Sequence, residues 1–452
     1  MAGRSVSFLH LLTSGASCTY FHQLQPPTIA ECARVRGCAA DWLQQNTSLF
    51  YRLEDYYSAP GDSPPFTPAS PNELLSAEFN GLNMWAVIRP SLGALFQWDD
   101  VETGVQHATP TEWSSIVELF KAACASLIAL EKFLAEQRPT HCILFNGFFY
   151  LERLMVESCR KATVQVIGTE SSTFADRKHY STTGVAGNRN ELRGLGAELA
   201  YARALLYHEQ TRLEQFFAEK LQGGNGTIPQ PPSSIRFKAD LGIDASTRLA
   251  LFLGQVPHDS VMLSDAMAFR TQTEAISALF DLFSKPPLSS MHLAVRLHPG
   301  GEITSMRQDV MAERLSETHP MKNVTVFRGV ECNTYDLMQL ADAAITFTSQ
   351  AGLEFLWLKK PLITLGPAYY AGHGFTIDVQ RRETLLSALK HALSGNYVTP
   401  DVKRRIDVFL YALVFEYLVP INRAQGSVQD DGVVMIANLL SGRHRLYGVS
   451  RA

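Results

Sequence analysis

The sequence predicts an α/β protein built on parallel sheets, and three observations carry that reading. Short β-prone apolar runs recur at residues 6–12, 141–145, 164–167, 249–253, 292–297, 324–327, 343–347 and 362–365. Segments with helical spacing lie between them. In 111–136, for example, Ile116, Leu119, Phe120, Ala123, Leu127, Leu130 and Phe133 share one side. Small or polar residues follow the strands: Thr13-Ser14-Gly15, Asn146-Gly147, Gly168-Thr169-Glu170, Gly254-Gln255, His298-Pro299 and Thr348-Ser349. Apolar strands bounded in this way suit a sheet covered by helices on both faces.

Composition narrows the class. The chain has 452 residues, enough for two or three domains, with 46 % hydrophobic and 19 % charged residues, as in an ordinary globular protein. A net charge of −4 supplies no basic field for nucleic acid. The opening apolar run, 6–12, is short and broken by Ser7 and His10, unlike a secretory signal. No uncharged run reaches the roughly 20 residues of a membrane span. Seven cysteines without metal-ligand spacing predict a reducing compartment, inert thiols and no metal. The expected location is therefore cytoplasmic, with any contact at the inner face of the cytoplasmic membrane peripheral.

The Pro/Gly-rich segment 222–234, QGGNGTIPQPPSS, reads as a linker. It sets the expected domains at 1–225 and 235–400, with C-terminal helices over 401–452. Within the last part, the apolar helix 402–418 opens with Lys403, Arg404 and Arg405. It is expected to close the two domains together, with contact to a membrane surface as the alternative. The opening strand and turn lack the glycines of a dinucleotide fingerprint, so no dinucleotide is expected. Further helices are expected over 150–161, 191–220, 268–283, 336–340 and 384–393.

The chain is organised around 341–376. Residues 343–347 form a strand, Thr348 and Ser349 take the N-cap position, and Gly352 admits a close approach of the backbone. Leu353, Phe355, Leu356 and Leu358 then make a helical stripe, with Lys359 and Lys360 in its last turn and Pro361 ending it. The next strand leads into a glycine loop, 366–374. A strand feeding a hydroxyl-capped helix N-terminus predicts an anion site, although a plain, well-capped βαβ unit accounts for the same residues. Carboxyl ends of parallel strands share an edge, so His298 is expected to face the same crevice as Ser349.

Two parallel α/β domains with a closing C-terminal helix form the layout of GT-B glycosyltransferases, with a central cleft between the domains. Residues 346–376 resemble the signature of the capsule polysaccharide biosynthesis family: Thr348-Ser349 in place of a Ser-Ser pair, Gly352-Leu353-Glu354, Lys360-Pro361, then Gly366, Tyr369, Tyr370 and Gly374. His298-Pro299 resembles the HP motif of CMP-sugar-dependent transferases. The run from Gln255 to Asp259 resembles the QxxxD motif of retaining β-Kdo transferases, which build capsule linkers and O antigens. Glu170 resembles the acidic residue on the acceptor side of the cleft.

The resemblance implies a retaining β-Kdo transferase that moves Kdo from CMP-Kdo to a glycan or lipid-linked oligosaccharide. CMP-Kdo would be a substrate, and neither metal nor further cofactor is implied. Asp259 would be the nucleophile of a double displacement, His298 a donor to the phosphate, and Glu170 the base for the acceptor hydroxyl. Donor binding would fall to Gln255, Ser260, Arg296, Pro299, Thr348, Ser349, Gln350, Gly352, Glu354 and Tyr369. Tyr370 and His373 would cover the base or sugar, and Arg177, Lys178 and Arg189 would form a positive wall. Plainer readings stand beside these. Asp259 or Ser260 caps a helix, His298 bonds backbone at a strand end, Glu354 is an inter-helix carboxylate, Arg296 is structural, and Glu170 and the basic residues are solvated. The competing functions are a transferase of the same fold with another nucleotide sugar and inverting or front-face chemistry, and a non-catalytic polysaccharide-assembly subunit.

Overall fold

The computed structural model describes residues 10–12, 50–57, 66–96, 98, 100–145, 147–174, 176–181, 196–221, 230–255, 268–298, 321–328 and 331–420. The chain divides into two compact units, Met1–Gly168 and Thr169–Ala452.

The first unit is organised by two helices, α1 (Met84–Phe96) and α2 (Pro110–Gln137). Helix α2 starts where its sequence says it should. Thr109 accepts from the Glu112 N–H, Glu112 reaches back to the Thr109 N–H, and Pro110 occupies the first turn. The predicted stripe from Ile116 to Phe133 is buried. Among the described residues α2 is the one helix long and apolar enough to cross a membrane, but that stripe is spent on the core of this unit. Strand β1 (His141–Phe145) and helix α3 (Tyr150–Lys161) follow as expected. The strand is not buried on both faces, however: Ile143 is 38 % and Phe145 41 % exposed. Of the predicted strand at 6–12, His10–Leu12 pairs in parallel with Phe50–Arg52; the rest lies outside the described residues. Strand β2 (Gln165–Ser171) runs across the division and is longer than predicted, so Glu170 sits within the strand rather than after it.

The second unit begins with β3 (Arg177–Ser181) and the long helix α4 (Gly196–Leu221). Its main sheet then takes β4 (Leu249–Leu253), β5 (His292–Arg296) and β6 (Val324–Phe327). Helix α5 (Gln272–Phe283) lies between β4 and β5; Thr271 caps it, so it starts four residues later than predicted. Helix α6 (Thr334–Leu340), strand β7 (Ala343–Thr346), helix α7 (Ala351–Trp357), strand β8 (Leu362–Thr364) and strand β9 (Ile377–Asp378) complete the alternation. The sheet runs β6-β5-β4-β7-β8-β9, parallel throughout. This is the doubly wound order of a Rossmann-like α/β sheet. Both faces are apolar, as the unbroken strand runs require. Leu249, Leu251, Leu253, Ala294 and Ala344 meet one set of helices, and Ala250, Phe252, Val295, Ile345 and Phe347 meet the other.

Helix α8 (Leu385–Leu393) precedes the C-terminal helix α9 (Pro400–Tyr411). The helix predicted over 402–418 instead changes character at Ala412 and finishes as a π-helix over Ala412–Tyr417. Strand β10 (Val419–Pro420) then pairs antiparallel with β3. Phe174, Ala202, Leu206, Leu213 and Phe217 share one core with Ile406, Phe409, Leu410 and Leu413. The division therefore falls before α4, not at the Pro/Gly-rich segment read as a linker, and α4 belongs with the second unit through its packing on α9. Of the cysteines, Cys124, Cys159 and Cys332 are buried free thiols and Cys142 is half-buried. Cys18, Cys32 and Cys38 lie outside the described residues.

The Lys-Pro pair after α7 has a structural explanation. The helix ends at Trp357, so neither lysine is in its last turn. Lys359 takes a left-handed conformation (φ 56°) and pairs with Asp407 of α9 at 2.5 Å. Lys360 donates to the carbonyls of Met338, Gln339 and Ala341 at 3.0, 2.5 and 2.8 Å, and so closes the C-terminus of α6. Lys360→Met leaves those carbonyls without that donor and should cost about 1–3 kcal/mol in urea unfolding. A midpoint unchanged from wild type would show that they find other donors.

Candidate functional site

A doubly wound sheet opens where its strand order reverses, because the connections leave neighbouring strands in opposite directions. Here that point lies between β4 and β7, which pair from Ala250↔Ala343 to Leu253↔Thr346. Their carboxyl ends run on into Gly254-Gln255 and Phe347-Thr348. The Gln255 amide bridges them: its Oε1 accepts from the Thr348 N–H at 2.7 Å, and its Nε2 donates to Thr348 Oγ1 at 3.0 Å. Gln272, the first residue of α5, fixes the Gln255 backbone. It accepts from the Gln255 N–H at 3.0 Å and donates to the Gln255 carbonyl at 2.6 Å. Gln255, Gln272 and Thr348 are all buried, so Gln255 is committed to holding the switch point together.

Gly254 brings β5 to the same place. Its N–H donates to the Arg296 carbonyl at 2.9 Å, and a Cβ would sit 2.9 Å from that oxygen and 3.3 Å from the His298 nitrogen. Only a residue without a side chain lets the two strand ends lie this close. His298 follows, half-buried, two residues beyond the end of β5. Arg296 is buried and faces Glu354, Tyr335 and Cys332; burial lowers its pKa while those groups favour its charge. It is a core cation beneath the edge.

Beyond Thr348 the chain departs from the predicted cap. Helix α7 begins at Ala351 with Gln350 in the capping position, and it is seven residues long. Ser349 Oγ accepts from the Ala351 N–H at 3.3 Å, and the carbonyls of Ser349 and Gln350 take the N–H groups of Gly352 and Leu353. The first turn thus satisfies its own donors, and the expected row of free N–H groups facing an anion is not what its hydrogen bonding presents. Gly352 is required because the phenol of Tyr370 lies against it, donating to the Ser349 carbonyl at 2.6 Å. Tyr370 is fully buried and so covers no ligand.

One turn into α7, Glu354 anchors a buried junction that sequence patterns alone do not reveal. Its Oε1 receives Lys220 Nζ at 3.0 Å, the Tyr335 hydroxyl at 3.2 Å and Thr173 Oγ1 at 3.3 Å. Lys220 comes from the end of α4 and is 1 % exposed; it also donates to the Thr173 carbonyl at 2.5 Å and lies over the Phe174 ring. Tyr369 belongs to the same neighbourhood. Burial and the charge of Glu354 raise its pKa, and its ring meets His179 edge-on at a centroid distance of 5.5 Å. His373 stacks on Phe375 and meets the Phe409 ring at a tilt. Arg177 lies across the rings of Phe216 and Phe415 with its pKa lowered by burial, so it is packed in the core rather than set in a positive wall.

Of the expected site residues, the structure brings together Gln255, Arg296, His298, Thr348, Ser349, Gln350, Gly352 and Glu354 around one sheet edge, with Tyr369 close to Glu354. Glu170 is half-buried in β2, with its polar contacts made. Asp259, Ser260, Pro299 and Arg189 lie outside the described residues. Sequence reasoning missed Lys220, Thr173, Tyr335, Gln272 and His179. The polar character of Lys220 at a helix end reads as solvent-facing, and nothing in its neighbours marks it as buried.

These features define the second unit as a Rossmann-like α/β sheet with a polar edge at its switch point. Residues 233–396 match the family described as capsule polysaccharide biosynthesis protein. Among curated protein sequences none matches the chain. The chain is similar to two solved structures from Thermosulfurimonas dismutans. KpsC, beta Kdo 2,4 transferase, is 18 % identical with a TM-score of 0.42, over 66 % of this chain and 86 % of that one. KpsC, beta Kdo 2,7 transferase, is 16 % identical with a TM-score of 0.40, over 70 % and 89 %. It is also similar to the UDP-GlcNAc 2-epimerase from Neisseria meningitidis, at 10 % identity and a TM-score of 0.27, over 71 % and 81 %.

His179 gives the second unit an acid limit. It is 1 % exposed between Tyr369 and Tyr417, its Nδ1 has no hydrogen-bond partner among the described residues, and burial lowers its pKa from 6.5 to about 4. Between those values the unfolded chain binds the proton and the folded chain does not, so stability falls as pH drops from about 6.5 towards 4. The loss approaches roughly 3 kcal/mol at the lower end. Replacing the histidine in His179→Phe should flatten this limb in pH-dependent thermal unfolding. An unchanged acid limb would assign it to other groups.

Proposed function

We propose that this chain is a glycosyltransferase of the GT-B layout, acting in polysaccharide synthesis as a retaining β-Kdo transferase with CMP-Kdo as donor. The observation that carries the reading is the switch-point edge lying inside the segment matched to the capsule polysaccharide family. Gln255, Arg296, His298, Thr348 and Glu354 converge there, at the position where open α/β sheets bind ligands. The acceptor is a glycan or lipid-linked oligosaccharide, met in the cytoplasm or at the inner face of the cytoplasmic membrane through peripheral contact.

The chemistry assigns each group a task. His298 donates to a phosphate oxygen of the leaving CMP and disperses the charge that develops there. Glu354 accepts from the nucleotide. Asp259 attacks the anomeric carbon from the face opposite the phosphate; the carbon–oxygen bond to CMP breaks and a glycosyl ester forms. Glu170 takes the proton of the acceptor hydroxyl, whose oxygen then displaces the Asp259 carboxylate. Two inversions leave the anomeric configuration as it began. The hydrogen bonds of Gln255 support a refinement: it shapes the edge through Thr348 and carries no proton, since a neutral amide is no base.

Intact-protein mass spectrometry after incubation with CMP-Kdo tests the proposal. A Kdo-sized adduct should form on the wild type, map to Asp259, and be absent from Asp259→Asn, with turnover falling by at least about 10³-fold. Turnover of CMP-Kdo without an adduct on the wild type, and with activity retained in Asp259→Asn, would favour inverting or front-face transfer. Binding of CMP-Kdo without transfer to any acceptor would favour a non-catalytic assembly subunit.

A further inference from the structure

A carboxylate buried in the core is costly unless it is paired, and a paired one is held in place by its partner. The pairing of Glu354 is lopsided. Tyr335 and Thr173 donate to Oε1 at 3.2 and 3.3 Å, Lys220 Nζ pairs ionically with the same oxygen at 3.0 Å, and Oε2 accepts no hydrogen bond among the described residues. The three partners come from three different elements: the end of α4, helix α6, and the turn between β2 and β3. Lys220 reaches this point fully buried and also donates to the Thr173 carbonyl. It therefore fixes the carboxylate and, at the same time, the segment that carries Thr173, three residues after Glu170. Arg296 faces the same carboxylate from the strand-end side. A side chain so restrained at Oε1 presents Oε2 in one orientation.

We propose that Lys220 is a positioning residue for the donor nucleotide: by pinning Oε1 of Glu354 it holds Oε2 ready to accept from the nucleotide's hydroxyl groups. This rests on the donor role of Glu354 given above. Lys220 lies outside the segment 233–396 that matches the family, so the ion-pair partner of Glu354 comes from the helix before that segment, in addition to the charge of Arg296 within it. The same arrangement distinguishes an oriented acceptor from a mere core ion pair, because a core pair is at its best when both oxygens are satisfied.

The test is a set of binding isotherms with CMP on the full chain, alongside thermal unfolding, for wild type, Lys220→Met, Glu354→Gln and the double variant. In Lys220→Met the carboxylate is left without its ion-pair partner, so the variant should unfold at a lower temperature than wild type. CMP should bind at least about tenfold more weakly than to wild type. In the double variant both charges are gone, and replacement of a buried pair by neutral groups is often tolerated. Thermal stability should return towards wild type, while CMP affinity should remain about tenfold down, matching Glu354→Gln alone. Recovered stability with unrecovered affinity is a pattern that a purely structural pair does not produce.

Wild-type affinity in the double variant, or in Lys220→Met, would overturn the positioning role. Failure of the donor assignment has a different signature. A wild-type chain that binds UMP or GMP but not CMP removes CMP-Kdo as donor, and the same four proteins titrated with that nucleotide then decide Lys220 by the same criterion. A wild type that binds no nucleotide overturns both.

Discussion

The second unit depends on one constraint, the joining of two strand ends that the sheet's own topology pulls apart. At a switch point the connections leave in opposite directions, and the edge opens unless something spans it. Gln255 spans it with both ends of its amide, and Gln272 anchors the backbone that presents that amide. Gly254 completes the arrangement by letting β5 come within backbone hydrogen-bonding distance of the β4 end, which places His298 beside the opening. All of these bonds are buried, so each is shielded from competition by water, and losing one would leave an orphaned polar group in the core.

Behind this edge lies a layer of buried charge. Lys220, Glu354 and Arg296 are each less than a tenth exposed; Glu354 shares Thr173 with Lys220 and Tyr335 with Arg296. Such a layer is a poor way to gain stability, because taking the charges out of water costs about what their attraction returns. It is a good way to fix geometry, since a side chain with several charge-assisted bonds has few orientations left. Its contributors also define what belongs to the unit. Helix α4 delivers Lys220, shares a core with α9, and packs Phe217 against Trp357 of α7 with ring centroids 4.6 Å apart. The segment from Thr169 onward is thereby one body with the strands that follow, although a Pro/Gly-rich stretch interrupts it.

Much of this was legible in the amino-acid order. The strands of the main sheet, the capped helix α2 and the helices α3, α6 and α8 appear close to where apolar period and cap residues place them. The convergence of the residues after Leu253, Leu297 and Phe347 on one edge followed from the rule that parallel strands share their carboxyl ends. Less legible were the points where one residue type suits two environments. Thr348 and Ser349 suit an N-cap, yet the helix starts two residues later because Thr348 is engaged by Gln255. Tyr370 in a glycine loop suits a ligand cover, yet its ring fills the space that Gly352 leaves open.

By itself, then, the sequence determined the alternation of strand and helix, the parallel sheet with two apolar faces, and which residues follow its strands at the carboxyl edge. These are local properties, set by side-chain period, chain stiffness and the hydrogen bonds a residue makes with its near neighbours. Only the tertiary structure decided that Gln255 is a clamp, that Lys220 is the partner of Glu354 across 134 positions of chain, that Arg177 lies between aromatic rings, and that the unit begins at Thr169. Burial of a charged or amide side chain is settled by what packs over it. For these residues the covering groups arrive from elements far away in sequence, where no local pattern records them.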